Sequence, residues 1–444
     1  MDDHSLIKKL IPEDLISKIN LESFYFEGKT RRPILKVAKP LDQDTEKKLI
    51  GLLGQDLCIN QVAVQSKNPE EFVNRLLEEV FLKKATDIHI DPHRESATVR
   101  IRLDGNLFPV YQLSLLLYQR VLNHIKIRSH LNIAEKRLPQ EGGFSHYVGD
   151  QCFDIRISII STCFGEKMAI RLLPSVKSFH QFSDIGFPEA LTQLMTVKLR
   201  KKTGSIFISG PTGSGKSSTL HVFLQYMDKK RSHAVSIEDP IEIYDQDINQ
   251  LPVSDALGLS FAQLLKRVLR QDPDIILIGE IRDPETARLA CEASLTGHYL
   301  LSTIHAKDGE SLILRLLDMG LEPYLLASSL EVLISQRLIR KNCPYCCETV
   351  PIDPFLSQWS GMKEMKKGKG CEACYFSGYR YRTGLFEVVV LSDETKRAIA
   401  NIQKTSSLKE LIKRDCLVSL KDAGLALVRD GITTVDEVYF NLDA

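Results

Sequence analysis

A glycine-rich segment at residues 210–217 has the residue types and spacing that bind a phosphate chain. It fits the pattern G-x-x-x-x-G-K-[ST], follows an apolar run at 206–209 and precedes a helical stretch. Glycines let backbone N–H groups turn toward phosphate oxygens, while the lysine reaches the β- and γ-phosphates and the serine hydroxyl binds Mg²⁺. The sequence therefore predicts an ATP site, with Ser217 as magnesium ligand and nucleotide contacts from Gly210, Pro211, Thr212, Gly213, Ser214, Gly215, Lys216, Ser217 and Ser218.

A carboxylate follows a second apolar run, as expected of the strand that accompanies a phosphate-binding loop. Residues 275–278 are all isoleucine or leucine, and Glu280 comes two positions later. In this place a carboxylate positions Mg²⁺ through water or polarises the attacking water. We therefore predict a catalytic role for Glu280.

A further acidic group, residues 238–242, follows the apolar run 234–237. The carboxyl ends of parallel strands form the ligand-binding edge of open α/β sheets. A solvated turn around Pro240 is the simpler explanation of this group, and which carboxylate aligns water stays open. The group adds two catalytic candidates, Glu238 and Glu242.

Two histidines, His298 and His305, flank the apolar run 299–303. A histidine at a strand end is usually a structural group with satisfied hydrogen bonds. Beside a nucleotide, however, it can sense the γ-phosphate by hydrogen bonding. Both are therefore candidate nucleotide contacts.

Ten cysteines are present, and half of them lie between residues 343 and 374. Two C-x-x-C pairs separated by an irregular segment are typical of a structural zinc site with four thiolate ligands. Redox activity at one pair is the alternative, but no thioredoxin-like context precedes either pair. Cys347 adjoins the first pair and is interpreted as a spectator. The predicted Zn²⁺ ligands are Cys343, Cys346, Cys371 and Cys374.

The composition gives no general attraction to polyanions. The 444 residues include 58 Lys plus Arg against 57 Asp plus Glu, and a single tryptophan, Trp359. A nucleic-acid translocase is expected to interleave basic and aromatic residues, so no nucleic-acid partner is expected. The first ten residues do not form a secretory signal, and no apolar run approaches the ~20 residues of a spanning helix. We expect a cytoplasmic protein that contacts membrane only through partners.

Hydropathy patterning divides the chain into several modules. From residue 206 onward, buried apolar runs alternate with helical stretches, which predicts a parallel sheet covered on both faces. Upstream, period-two alternation at 87–91, 97–103, 154–160 and 167–172, with helices at 69–84 and 116–131, predicts a small α+β domain. A strand at 33–37 and a helix at 41–53 are also predicted. The predicted organisation is a small partial N-terminal module at 1–66, an α+β domain at 67–173, a linker at 174–187, and an α/β P-loop domain with a parallel sheet at 188–444 that includes the cysteine module (336–384) and a helical tail from 405.

These motifs resemble, in content and order, those of secretion ATPases of the type II and type IV pilus superfamily, the general secretory pathway protein E family. The resemblance covers roughly residues 70–395. Besides the segments above, it rests on the motifs at 87–91, 100–105, 133–140, 154–156, 269–274, 279–283, 296–305, 336–338 and 378–384.

The resemblance implies a homo-hexameric motor whose ATP sites lie between the small domain and the RecA-like domain. It assigns catalytic arginines to Arg156 and Arg171 on the small domain and to Arg270 on the RecA-like domain. Where the family usually has another arginine, this chain has Lys266. A guanidinium fork spreads positive charge over phosphoryl oxygens, and an ammonium point charge replaces only part of that contact.

The expected function is ATP hydrolysis that powers type II protein secretion across the outer membrane, with inner-membrane platform proteins as partners. Assembly of type IV pili is the first alternative. A nucleic-acid translocase and a zinc-stabilised scaffold that binds nucleotide without turnover are more distant ones. The scaffold is disfavoured because Lys216 and Glu280, which turnover requires, are both present.

Overall fold

The computed structural model describes residues 21–27, 32–37, 58–61, 68–149, 151–173, 179–401 and 406–442. The chain divides into two compact units, which meet in sequence between residues 173 and 174. Within the described residues, no helix is long and apolar enough to cross a membrane. A three-stranded sheet near the N-terminus has the strands β1 (Leu21–Glu27), β2 (Arg32–Val37) and β3 (Cys58–Gln61). The strand predicted at 33–37 lies within β2. The helix predicted at 41–53 lies outside the described residues.

The main sheet of the first unit is antiparallel and has six strands in the order β6-β5-β4-β9-β8-β7. Its inward residues alternate with outward ones, so Ile88 and Ile90 of one strand are fully buried in its core. Asp104 and Gly105 both have positive φ and make the tight turn between β5 and β6. The elements are α1 (Pro69–Leu82), β4 (Asp87–Pro92), β5 (Ser96–Leu103), β6 (Asn106–Ser114), α2 (Leu115–Arg128), β7 (Gln140–Val148), β8 (Gln151–Thr162) and β9 (Gly165–Leu172).

The second unit is built on an eight-stranded sheet in the order β12-β11-β13-β14-β10-β15-β18-β19. The first six strands are parallel, and the last two add antiparallel pairs at one edge. Every residue of β13 and β14 is buried, because helices cover both faces of the parallel part. The strands are β10 (Gly204–Ser209), β11 (Ala234–Glu238), β12 (Asn249–Pro252), β13 (Ile275–Ile278), β14 (Tyr299–Ile304), β15 (Val332–Asn342), β16 (Cys347–Pro351), β17 (Glu364–Gly368), β18 (Tyr379–Val390) and β19 (Cys416–Val418).

The helices of this unit bury apolar residues on the two faces of the sheet, in two separate core clusters. They are α3 (Glu189–Leu199), α4 (Lys216–Gln225), α5 (Phe261–Val268), α6 (Pro284–Leu295), α7 (Gly309–Asp318), α8 (Pro323–Ser329), α9 (Pro354–Ser360), α10 (Asp393–Ala400), α11 (Ser406–Asp415), α12 (Leu420–Arg429) and α13 (Val435–Leu442). Short 3-10 helices cover Phe182–Ile185, Asp255–Leu257 and Glu372–Cys374.

Part of the segment predicted as a linker packs into the second unit. Residues 174–178 lie outside the described residues, but Phe182 and Phe187 are buried against Phe223 of α4. The aromatic contacts fix the chain beneath the helix that follows the phosphate-binding loop.

The tail after residue 405 is mostly helical, and β19 joins it to the main sheet. Its helices α12 and α13 pack closely, since a Cβ on Gly424 would overlap the side chain of Val438. Together with β16, β17 and α9, these helices enclose a small core beside the cysteine pairs, which includes Ile352, Met365 and Val428.

Candidate functional site

The glycine-rich loop lies between β10 and α4, at the carboxyl edge of the parallel strands. Gly210 has φ 155°, and a Cβ there would collide with Gln336 O and lie 2.6 Å from Ser214 Oγ. Only glycine fits this position, because the loop runs directly against β15. Residues 211–213 are exposed, so the concave side of the loop is open to a ligand.

Lys216 is the first residue of α4, and its ammonium folds back onto the loop. Its Nζ donates to Gly210 O (2.8 Å) and Pro211 O (2.9 Å). Burial lowers the pKa of Lys216 to about 8, while the carboxylates of Glu280 and Glu242 act in the opposite direction. The charges of Glu280 and Glu242 therefore act on the ammonium of Lys216.

The hydroxyl groups of the loop are also available for a ligand. Ser214 Oγ is buried and has no hydrogen-bond partner among the described residues. Ser217 and Ser218 are half-buried in the first turn of α4. Backbone N–H groups at a helix N-terminus, beside free hydroxyls and an ammonium, form the environment that binds phosphate oxygens and their metal.

Glu280 lies beyond the end of β13 within an ionic cluster. It accepts a hydrogen bond from Arg282, whose other Nη donates to Asp239 Oδ2 at 2.9 Å. His305 Nε2 is 3.5 Å from Glu280 Oε2. The Glu280 side chain is 18% exposed, which leaves it accessible to water. This carboxylate is thus fixed in orientation without being enclosed.

Glu238 differs from Glu280 because its carboxylate is held inside the protein. Its Oε1 accepts from Ser236 Oγ (2.6 Å) and Gln250 Nε2 (3.1 Å), and its Oε2 is 3.5 Å from His221 Nε2 on α4. Burial by itself raises the pKa of Glu238, but the contacts with His221, Ser236 and Gln250 outweigh it, and the pKa is lowered. The carboxylate therefore joins β11, β12 and α4. Of the two candidates in this acidic group, Glu242 is the half-buried one whose charge reaches Lys216.

The two histidines lie at opposite ends of β14. His305 follows the strand at the edge that carries the phosphate loop, since β10 and β14 run parallel with Ser209 beside Ile304. His298 precedes the strand, and its Nδ1 is 2.9 Å from Ala293 O and 3.1 Å from Thr296 Oγ1. The six residues of β14 lie between the two histidines and separate them by about 20 Å. Within one chain, the fold brings His305 to the phosphate edge and not His298.

The predicted arginines lie in different parts of the chain. Arg156 and Arg171 are directly opposite each other on β8 and β9, so they share one face of the sheet in the first unit. Arg171 is 65% exposed and donates to Asp87 Oδ1 at 3.1 Å. Arg270 is exposed after α5 in the second unit, and Lys266 pairs with Glu285 on α6.

The four predicted zinc ligands converge, with all their Sγ atoms within 4.8 Å of one another. The Sγ separations are 3.8 Å for Cys343–Cys371, 3.9 Å for Cys346–Cys374 and 3.7 Å for Cys371–Cys374. A tetrahedron with Zn–S bonds of 2.3 Å has edges of about 3.8 Å. Disulfide sulfurs would be only about 2.05 Å apart. The cluster is thus a group of free thiols with the dimensions of a zinc site.

Sequence reasoning assigned no role to Gln336, Arg337 or Arg282. Gln336 is buried, contacts Gly210 through its carbonyl oxygen and accepts from Thr219 Oγ1 on α4 (2.9 Å). Gln336 and Arg337 belong to a motif on which the resemblance rests. No local pattern indicates that this motif packs against the phosphate loop, because about 120 residues separate the two segments in sequence.

Comparison with known proteins places this chain in a family. The family model described as "Type II/IV secretion system protein" matches residues 63–440. The type IV pilus assembly ATPase PilB of Thermus thermophilus is 39% identical over 376 residues, which are 83% of this chain but only 42% of that protein. The type II secretion system protein E of Pseudomonas aeruginosa is 38% identical over 378 residues, which are 82% of this chain and 74% of that protein.

Solved structures have the same fold. The ATPase DotB of Legionella pneumophila aligns with a TM-score of 0.65 at 18% identity, over 86% of this chain and 98% of that one. The pilus retraction motor PilT with bound ADP aligns with a TM-score of 0.56 at 23% identity, over 83% of this chain and 96% of that one. The predicted fold class and family are confirmed. The chain belongs to the Type II/IV secretion system protein family, and two of its relatives are named type IV pilus assembly ATPases.

Proposed function

We propose that this chain is an ATP-hydrolysing motor that powers type II secretion across the outer membrane. The supporting observation is an open phosphate-binding loop between β10 and α4, with Glu280 following β13 of the same sheet, where Arg282 orients it and His305 Nε2 lies 3.5 Å away. Assembly of type IV pili is the alternative, because a relative named for pilus assembly and one named for type II secretion have nearly the same sequence identity to this chain, 39% and 38%.

The chemistry is transfer of the γ-phosphoryl group of ATP to water, giving ADP and phosphate. The loop amides and Lys216 would bind the phosphates, and the Ser217 hydroxyl would hold Mg²⁺, which would supply positive charge to the phosphate chain. Glu280 aligns the attacking water, since its carboxylate is oriented by Arg282 and lies near His305. If Glu280 is not the essential carboxylate, Glu242 is the next candidate, because Glu238 is used internally.

We propose that the active form is a homo-hexamer in which Arg156 and Arg171 complete a neighbour's site. Both arginines lie on the first unit, where they are neighbours on one face of its sheet. A shared site requires assembly, so specific activity should rise with protein concentration. Full activity in dilute monomer would exclude shared sites.

The remaining cofactor and partner proposals are supported by the family and by the cysteine geometry. Zinc is proposed at the four thiols as a structural ion, since four protein ligands leave no position for a reacting water. The motor is proposed to act in the cytoplasm, held at the inner membrane by secretion or pilus platform proteins. Recovery of secretion-platform or of pilus-platform proteins by cross-linking in cell membranes would separate the two systems.

The catalytic proposal is tested by separating nucleotide binding from turnover. Lys216→Ala should weaken ATP binding, because the ammonium contacts phosphates in the ground state. Glu280→Gln should leave nucleotide affinity nearly intact and lower kcat by on the order of a hundredfold, because the charge that aligns water is removed. Both are measured by nucleotide titration and steady-state phosphate release.

A matched control is Glu285→Gln. It removes an exposed carboxylate on α6, the helix that follows β13, and this carboxylate pairs with Lys266. It should hydrolyse ATP at the wild-type rate. Retained turnover in Glu280→Gln would transfer the catalytic role to Glu242.

A further inference from the structure

A buried arginine, Arg337, lies next to the phosphate-binding loop and has no role in the mechanism above. Its side chain is 4% exposed and stands on β15. Nη1 donates to Gln336 O at 3.1 Å, and Nη2 donates to Lys307 O at 3.0 Å. Its Nε is buried without a hydrogen-bond partner among the described residues. Burying a guanidinium is costly, so the contacts that hold it there are informative.

The two carbonyls belong to two segments that border the nucleotide site. Gln336 O is the atom against which Gly210 packs, and the Gln336 side chain accepts from Thr219 on α4. Lys307 comes two residues after His305, which faces Glu280. One planar guanidinium therefore bonds both to the β15 backbone that packs against the phosphate loop and to the loop that carries His305.

Charges around Arg337 keep it anchored between these segments. Burial lowers the pKa of Arg337, while Asp308 and Glu387 raise it, so the guanidinium stays charged. Asp308 caps α7 by accepting from Ser311 N at 2.7 Å. Glu387 accepts from Gly309 N (3.1 Å) and Ser335 Oγ (2.9 Å). The positive charge of Arg337 also acts on Lys216, so both cations contribute to the field at the phosphates.

We propose that Arg337 is a positioning residue that holds the 305–308 loop in register with the phosphate loop, and so aligns His305 and Glu280 with the γ-phosphate. This inference rests on the proposed ATPase function. The β-phosphate, which ATP and ADP share, would contact the loop amides and Lys216 directly. The γ-phosphate, which only ATP has, would also depend on His305 and Glu280, the side chains that Arg337 aligns. Arg337 therefore favours a triphosphate over a diphosphate at this site.

Arg337→Lys is the informative change, because it keeps the charge but cannot bridge two carbonyls with a planar fork. We expect MgADP affinity within about threefold of wild type, since the field at the phosphates persists. Preference for a non-hydrolysable ATP analogue over ADP should fall about tenfold, and kcat by a similar factor, on the order of one lost charge-assisted hydrogen bond.

Arg337→Met removes the charge as well while filling similar volume. It should weaken ADP binding in addition to lowering the preference, and it serves if the lysine variant does not fold. The matched control is Arg340→Lys on the same strand, whose Nη2 pairs with Glu437 at 2.6 Å, away from the phosphate loop. Arg340→Lys should lower the melting temperature without changing the nucleotide preference.

The readouts are analogue and ADP affinities, kcat and thermal unfolding for all four proteins. A wild-type preference that survives in both Arg337 variants overturns the inference, as does a preference lost equally in Arg340→Lys. Wild-type protein that prefers the analogue but releases no phosphate would refute the ATPase function, and the affinity ratios would still test Arg337.

Discussion

Two regions of the second unit bring polar side chains together by different means. The phosphate edge is carried by β10, β13 and β14, whose apolar residues are buried in cores on both faces of the sheet. Each buried isoleucine or leucine contributes about 1.5–3 kcal/mol, so this edge is rigid before any ligand arrives. The cysteine module shares a small core with the C-terminal helices, and its four thiols contact one another through weak S–H contacts. Packing organises the phosphate edge before a ligand binds, whereas the cysteine site is proposed to depend on a bound ion.

The largest expected effect is therefore loss of the metal. Chelation, or Cys343→Ser, should remove about one zinc per chain and unfold the segment from 343 to 374, since structural zinc sites contribute apparent free energies of about 10–16 kcal/mol. The central sheet should remain folded. Metal analysis and limited proteolysis measure both outcomes. Cys347→Ser should retain its zinc, and a metal-free module that resists protease would contradict the proposal.

A substitution in the loop should affect the nucleotide site and spare the cysteine module. Gly210→Ala places a Cβ against Gln336 O, so the loop must move and nucleotide affinity should fall by at least about a hundredfold. Gly213→Ala is the matched comparison, because it has φ 77° but open space around the added Cβ. Its backbone strain is roughly 1–2 kcal/mol, so its effect on affinity should be much smaller. Equal affinities for the two variants, measured by titration, would contradict the packing argument.

The charge at the phosphate edge should make nucleotide binding depend on pH. Because the pKa of Lys216 is about 8 in the free protein, affinity should fall as pH rises above that value, by up to tenfold per pH unit. Below it the ammonium is already formed and affinity should be level. Lys216→Arg keeps its charge throughout and should bind with little pH dependence. Parallel slopes for the two proteins between pH 8 and 10 would show that another group titrates.

The smallest expected effect concerns the internal carboxylate. Glu238→Gln should destabilise the protein by on the order of 1 kcal/mol at pH 7, with a smaller loss of turnover than Glu280→Gln. The folded-state pKa of Glu238 is lowered, so its stabilising effect is present above its ordinary value of 4.5 and lost as pH falls through the lower folded value. Urea unfolding should thus show the difference between wild type and variant shrinking in acid. A difference that grows in acid would reverse this sign.

Local patterns predicted the phosphate loop and the cysteine cluster, because each motif carries its own spacing. The strands β6 and β7 were not predicted, since β6 contains Pro109 and β7 contains Gly142 and Gly143, which weaken the period-two signal. The pairing of β15 with β18 was also not apparent, because the segment from 343 to 378, with both cysteine pairs, separates the two strands in sequence. Glu238 looked like Glu280 in the sequence, and only partners from three different elements distinguish them.

Strand β15 also has a mechanical consequence. Gln336 abuts the phosphate loop, and Asn342, at the other end of the same strand, is bonded to Cys343. These residues span about 20 Å of nearly fully extended chain, which reaches at most about 3.3–3.6 Å per residue. A helix or a loop in this place would lengthen under tension before it transmitted the force to the phosphate loop. A pull applied at Cys343 therefore arrives at the phosphate loop with little stretch, and β18 pairs along this part of β15 with one shift of register, between Arg340 and Asn342.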